Sequence, residues 1–279
     1  MCIRDRYTGD FKLDSGPSAE SCVVPRADTL IMETTYGIPK YTFPPLSEVA
    51  TEMIQFCRES IEDGVIPVLF GHSLGKAQVI LSILRHSELD TMLHPQALKM
   101  TQTCQAIGFN YPDFQPFDVN RVAGHVVISP PLASKSKWLN QIPNRRTATV
   151  SGWAVDPSIK YRSGTDKAFP VSDHSDFLEL LDFVDLVNPN RVITVHGFAS
   201  EFAQTLRDRG IDARELAPQR QLNLDVAVGH GSKLSNLSRQ QKSKSTVSSQ
   251  EGEFTRLATT CDTIANAQAA LAKSCTLSS

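Results

Sequence analysis

A chain of 279 residues, 41% hydrophobic and 21% charged, has the composition of a soluble globular protein. A formal net charge of −2 argues against a global basic field, so a polyanionic partner would need a local basic groove. Six scattered cysteines with no Cys-x-x-Cys argue against a thiolate zinc site or a disulfide framework and fit a reducing cytoplasm, while no apolar run of about 18 residues and no signal peptide is visible.

Taken in order, residues 1–6 are charged and unlike a natural start, and they read as a non-native leader on an N-terminally truncated chain. Tyr7-Thr8-Gly9-Asp10 reads as a strand end with Asp10 at the turn. Leu30 to Met32 is a buried-strand core, and Glu33 follows it directly. A carboxylate there is either a solvated turn residue or one aimed into a site, because burying it unpaired is costly. After the Pro/aromatic connector Pro39 to Pro45, Ser47 is placed to cap a helix running to about Asp63, with Val49, Met53, Phe56, Cys57 and Ile61 as its apolar stripe. A strand over Val65 to Phe70, the turn Gly71-His72-Ser73-Leu74-Gly75 and a helix from Lys76 to about Arg85 follow. Residues 93–121 show no clear period. Gly124 to Ser129 reads as a strand, Lys135 to Leu139 as a short helix, and Thr147 to Val150, preceded by Arg145 and Arg146, as another strand.

The most informative stretch is Ser172-Asp173-His174-Ser175-Asp176, then the helix pattern Phe177 to Val184, the break Asn188-Pro189-Asn190, the strand Arg191 to Val195 and His196-Gly197. Two imidazoles thus fall at opposite ends of one helix–strand unit, on rims where α/β folds place their chemistry. A helix over Ser200 to Arg209 and a strand over Ala213 to Leu216 follow. A Ser/Gln/Lys-rich stretch at 219–252 reads as a flexible linker, and residues 253–279 restore a helical stripe that would begin a further domain.

Gly71-His72-Ser73-Leu74-Gly75 fits G-x-S-x-G between strand and helix, the setting of a nucleophile elbow. This supports an α/β-hydrolase with Ser73 as nucleophile. Against it, Lys76 follows where a small residue favours close packing, no His-Gly oxyanion loop precedes, and Asp10 and Glu33 are left without a role. The same turn also suits a plain backbone connection or an anion cradle.

Tyr7-Thr8-Gly9-Asp10, Glu33-Thr34-Thr35-Tyr36-Gly37, Leu74-Gly75-Lys76-Ala77-Gln78, Ser151-Gly152-Trp153-Ala154, Ser172-Asp173-His174-Ser175-Asp176 and Val195-His196-Gly197 occur in that order. Together they resemble the β-CASP branch of the metallo-β-lactamase-fold nucleases, closest to bacterial exonucleases associated with ATP-dependent DNA ligases, relatives of the mRNA 3′-end processing factors. The resemblance implies an α/β chain with a partial metallo-β-lactamase αββα fold at 7–37 and 169–218 and an inserted β-CASP α/β domain at 38–168. It implies a zinc-dependent nuclease acting on nucleic acid ends, a DNA exonuclease linked to ligation being favoured and RNA processing the alternative, fused to or associated with a ligase. Asp10 would correspond to the carboxylate bridging two zinc ions, His196 to a zinc ligand, His174 to the acid that protonates the leaving 3′-oxygen, and Glu33 to the carboxylate that orients it. Carboxylate and imidazole are ordinary zinc donors, and an imidazole held by a carboxylate suits acid–base work near neutral pH. Lys76, Arg145, Arg146 and Lys160 are candidates for phosphate contacts, with solvated surface charge as the competing reading. Trp153 reads either as a core residue or as a stacking platform for a base. The family's His-x-His-x-Asp-His motif is absent from these 279 residues, so the chain as given is expected to bind zinc poorly and to be inactive, unlike its full-length parent.

Overall fold

The computed structural model describes residues 5–14, 16, 22–131, 136–142 and 144–216. The expected linker and terminal helix lie outside the described residues, as does Lys135. Two sheets, each parallel throughout, organise the described chain.

The first sheet holds β1 (Asp5–Tyr7), β2 (Thr29–Glu33), β9 (Arg191–Val195) and β10 (Asp212–Glu215), in that spatial order. Its core lies between Leu30, Met32, Val192 and Ala213 on the strands and two helices, α5 (Phe177–Val187) and α6 (Ala199–Asp208). Alternation along β2 and β9 sends Leu30, Met32 and Val192 to this face. Phe177, Leu180, Phe183, Val184 and Val187 are the buried residues of α5, a 3.6-period stripe. Asp176 caps α5 and Glu179 caps Asp176 in return, a reciprocal capping box. Strand β1 begins at Asp5, two residues before the expected start of native structure at Tyr7.

The second sheet is formed by β3 (Ile66–Phe70), β4 (Thr91–Leu93), β5 (Gln115–Pro116), β6 (Val126–Ser129), β7 (Arg145–Val150) and β8 (Lys167–Phe169), in the order β5-β4-β6-β3-β7-β8. Strand β3 sits inside the sheet and is buried at all five positions, as parallel central strands are. Helices α1 (Leu46–Glu62), α2 (Lys76–Ile83) and α3 (Pro95–Ala106) cover one face and share a core with Leu69, Ile128 and Ala148. Helix α4 (Ile159–Ser163) connects β7 to β8 and packs against both. The N-cap of α1 is Pro45, without a side-chain cap, so Ser47 lies one residue inside the helix rather than at its cap. Arg145 and Arg146 are the first two residues of β7 rather than a lead-in to it.

The unassigned stretch at 93–121 holds α3 and the two-residue strand β5. The buried residues of α3 are Ala97 and Thr101, too few apolar positions to print a helical period on the sequence.

In a parallel sheet all strands point the same way, so the loops that leave their C-terminal ends gather along one edge. Those after β1, β2 and β9 carry Asp10, Thr34 to Gly37 and His196-Gly197, and Glu33 ends β2 itself. Those after β3, β7 and β8 carry Gly71 to Gly75, Ser151 to Val155 and Pro170 to Asp176. Tyr36 from the first group meets Gly152 and Ser172 from the second, so the two edges face one another.

Candidate active site

Glu33 is fully buried at the end of β2, where Met32 and the helices behind the sheet hold the strand. Its Oε1 lies 3.1 Å from His174 Nδ1, and its Oε2 accepts the Thr35 amide at 2.8 Å. Burial by itself would raise the Glu33 carboxyl, but the hydrogen bond and charge of His174, with the Thr35 amide, bring it below its ordinary value. Burial by itself would lower His174, and there the Glu33 hydrogen bond and charge prevail, aided by Asp173 and Asp10, so its pKa is raised. The pair is therefore a carboxylate and an imidazole that each favour the other's charged form. Because Nδ1 faces the carboxylate, it carries the proton, which leaves Nε2 to work on a bound group.

The loop that presents His174 is fixed from several sides. Its amide donates to Ser172 Oγ at 2.9 Å. The Ser175 amide donates to the Phe11 carbonyl at 2.8 Å, and the Leu13 amide donates to Ser175 Oγ at 2.9 Å. Those two bonds tie the loop after Asp10 to the loop of His174 and keep the exposed Asp10 carboxylate near enough to act on the imidazole by charge.

His196 follows β9 with φ +62° and an exposed side chain. Its carbonyl accepts Thr34 Oγ1 at 2.7 Å, and the Phe198 amide donates to the Thr34 carbonyl at 2.9 Å. The next residue must be glycine, since a Cβ on Gly197 would stand 2.5 Å from Thr35 Cα at φ +58°. The turns that carry Glu33 and His196 are thus sewn into one unit.

The four expected basic contacts are placed differently. Lys76 is buried, with Nζ 2.7 Å from Asp173 Oδ1, so its charge is committed to the loop of His174 rather than open to a phosphate. Arg145 donates to the Leu139 and Ile142 carbonyls, and Arg146 pairs with Asp63 at 2.8 Å. Both arginines begin β7, at the opposite edge of the sheet from His174. Lys160 rests over the Tyr161 ring at 4.8 Å on α4. Two residues given no role from sequence belong to this site. Asp173, quoted only as part of a motif, links Lys76 to His174, and Tyr36 stands edge-on to the His174 ring at 6.1 Å. A carboxylate beside a site histidine was the signal that could have singled out Asp173.

Ser73 is half-buried on the loop before α2, and among the described residues no hydrogen bond joins its hydroxyl to an imidazole. The nucleophile-elbow reading lacks its base. Among the described residues no group of three or more His, Cys, Asp or Glu is gathered as metal ligands. Asp10 and His196 are suitable donor types, but zinc takes three or four protein ligands, so these two alone do not complete a zinc site. No helix among the described residues is long and apolar enough to cross a membrane.

Residues 167–214 match the family described as the Zn-dependent metallo-hydrolase RNA specificity domain. That span runs from β8 to β10 and includes His174 and His196. A probable DNA ligase of Opitutus terrae is 51% identical over 220 residues, which cover 79% of this chain and 22% of the ligase. Transcription termination factor FttA of Methanocaldococcus jannaschii is 25% identical, over 72% of this chain and 42% of that protein. Endoribonuclease ysh1 of Schizosaccharomyces pombe is 21% identical, over 76% and 36%. The chain thus spans about a fifth of the first of these relatives and less than half of the other two.

Proposed function

From the premise that the chain belongs to the β-CASP metallo-β-lactamase-fold proteins related to ligase-associated members, we propose that it is part of a zinc-dependent nuclease that processes nucleic acid ends. The observation that carries this reading is the buried Glu33 paired with a raised-pKa His174 on one sheet edge, beside the loops of Asp10 and His196. An imidazolium held by a carboxylate is a general acid placed for a leaving oxygen. His174 gives its Nε2 proton to the departing 3′-oxygen, and Glu33 holds the ring at Nδ1 throughout. Lys76 keeps Asp173 in place behind the ring.

Asp10 and His196 are the residues of this chain that would hold zinc, in company with further ligands. When bound, the metal supplies an activated water and neutralises phosphate charge. The substrate lies along the facing edges of the two sheets, where Tyr36 meets Gly152 and Ser172. Of the two nucleic acids, likeness to a DNA ligase favours DNA ends and linkage to ligation. The description of the family matched over 167–214 and the endoribonuclease relative favour RNA.

The test is an end-labelled nuclease assay with metal analysis on the longer protein that contains this chain. His174→Ala should lower the cleavage rate by roughly 10²- to 10⁴-fold, the usual share of a general acid, with zinc content unchanged. Cleavage that persists after exhaustive chelation, or an His174→Ala protein that cuts at the unmodified rate, would sink the reading.

A further inference from the structure

Beside His174 lies an aromatic cluster for which the proton-transfer chemistry has no use. Tyr36 separates the His174 ring from Trp153, with ring centroids 6.1 Å and 4.8 Å away respectively. Tyr41 backs Trp153 edge-on at 5.2 Å, and Phe198, two residues after His196, lies 6.4 Å from it. Tyr36 and Tyr41 are buried at 3% and 7% exposure, whereas Trp153 is 36% exposed. An indole held rigid by two buried tyrosines and left open to solvent is a ready stacking face, because its geometry is fixed before a ligand arrives.

Cations stand on one side of it. Lys40 stands next to Tyr41, half-exposed, and Arg162 is near enough for its charge to act on Lys40. Asp156 pairs with Lys40 at 2.7 Å and offsets one of the two charges. Glu33 and Asp173 act by charge on Tyr36 from the His174 side, so the cations lie on the Lys40 side of the open indole. An indole with cations beside it binds single strands through base stacking and backbone charge.

We propose that Trp153 is the platform on which a base of an unpaired nucleic acid end stacks, so that the site takes single-stranded ends in preference to paired ones. This rests on the nucleic-acid reading above and names the form of its substrate. A base inside a duplex has both faces covered by its neighbours and cannot use the indole. An unpaired end can, and Lys40 and Arg162 then lie along its backbone.

The chain contains two tryptophans. Trp138 packs on Phe117 in the core of the second sheet and has no part in the cluster. In a Trp138→Phe background, Trp153 becomes the sole indole reporter. The experiment titrates the metal-free 279-residue chain with an unlabelled oligothymidylate of about ten nucleotides, a length within the range of single-strand sites. A labelled copy, followed by anisotropy, measures binding separately, and a closed-end DNA dumbbell serves as the paired competitor.

The expected result is saturable quenching that parallels the anisotropy, with the dumbbell bound more weakly than the single strand. Trp153→Ala in the otherwise unmodified chain should weaken single-strand binding by roughly 5- to 150-fold, the range of one lost stacking contact. Trp153→Phe should recover most of that loss, which a merely unfolded variant could not do. Strand binding without quenching, or equal binding of the dumbbell, overturns the platform and leaves the nuclease reading standing. Absence of strand binding overturns the platform, and the nuclease reading is then decided separately by the cleavage assay on the longer protein.

Discussion

Lys76 and Asp173 are 97 positions apart in sequence, and their side chains meet at 2.7 Å. The lysine side chain is 6% exposed and the aspartate side chain 48%. Burial would raise the Asp173 carboxyl, but the Lys76 charge and hydrogen bond hold it below its ordinary value. The pair fastens the start of α2, on the second sheet, to the loop that presents His174.

The unequal exposure predicts unequal costs. Asp173→Asn leaves a buried ammonium without its counter-charge and should cost about 3 kcal/mol, the low end for breaking a buried pair. Lys76→Met leaves a carboxylate that water can reach and should cost about 1 kcal/mol. Urea unfolding of the two variants distinguishes them, and equal losses would contradict the geometry.

Glu33 and His174 set a pH window. The raised His174 contributes stability that is fully present below its ordinary value of 6.5 and is lost as pH climbs through the raised value. The lowered Glu33 contributes stability present above its ordinary value of 4.5 and lost as pH falls through the lowered one. In metal-free protein the pair should therefore stabilise most between those ordinary values. Proton NMR of the imidazole should give a His174 pKa above 6.5, and Glu33→Gln should lower it. A titration unchanged by that substitution would show the pair to be uncoupled.

Gly197 offers a test of the joined turns. In Gly197→Ala the new Cβ meets Thr35 Cα at 2.5 Å and the Thr34 carbonyl at 2.6 Å, at positive φ. Backbone strain and overpacking together should cost about 3 kcal/mol. Gly164→Ala is the control, because its φ is +63° with nothing within 4 Å of the added carbon. It should cost about 1 kcal/mol, from backbone strain alone. Thermal unfolding of both variants reads the difference.

The 279-residue chain presents Asp10 and His196 as donors, with no larger cluster among its described residues. Two donors fall short of the usual zinc complement. After dialysis the chain should hold well below one equivalent of zinc by elemental analysis. A full equivalent that disappears in both Asp10→Ala and His196→Ala would contradict this.

The elements that could be read from the sequence are those whose period is carried by apolar side chains. Strands β2, β3, β6 and β9 are short apolar runs, and α1 and α5 show helical stripes. Helix α3 and the two-residue β5 carry no such stripe. The motif order also drew attention to Glu33 and His174, since a carboxylate behind a strand core needs a partner. It could not say that Lys76 spends its charge on Asp173, nor that Arg145 and Arg146 begin β7 and so lie far from the site. Which end of a strand faces the chemistry is a property of topology. The exposure of Trp153 is likewise set by Tyr36 and Tyr41, from a different part of the chain.

The two sheets differ in how their strands are joined along the chain. Every strand of the second falls between Ile66 and Phe169, whereas β2 must pair with β9, Thr29 opposite Arg191. Closing so long a loop costs more entropy than making nearer pairings, and the cost falls once the intervening segment is compact. The second sheet should therefore gain hydrogen-exchange protection first in refolding, with the β2–β9 ladder protected later. Glu33 ends β2 and His196 follows β9, the two strands that this late ladder joins. The candidate site is then assembled only in the last stage of folding, so a partly folded chain would carry the second sheet without it.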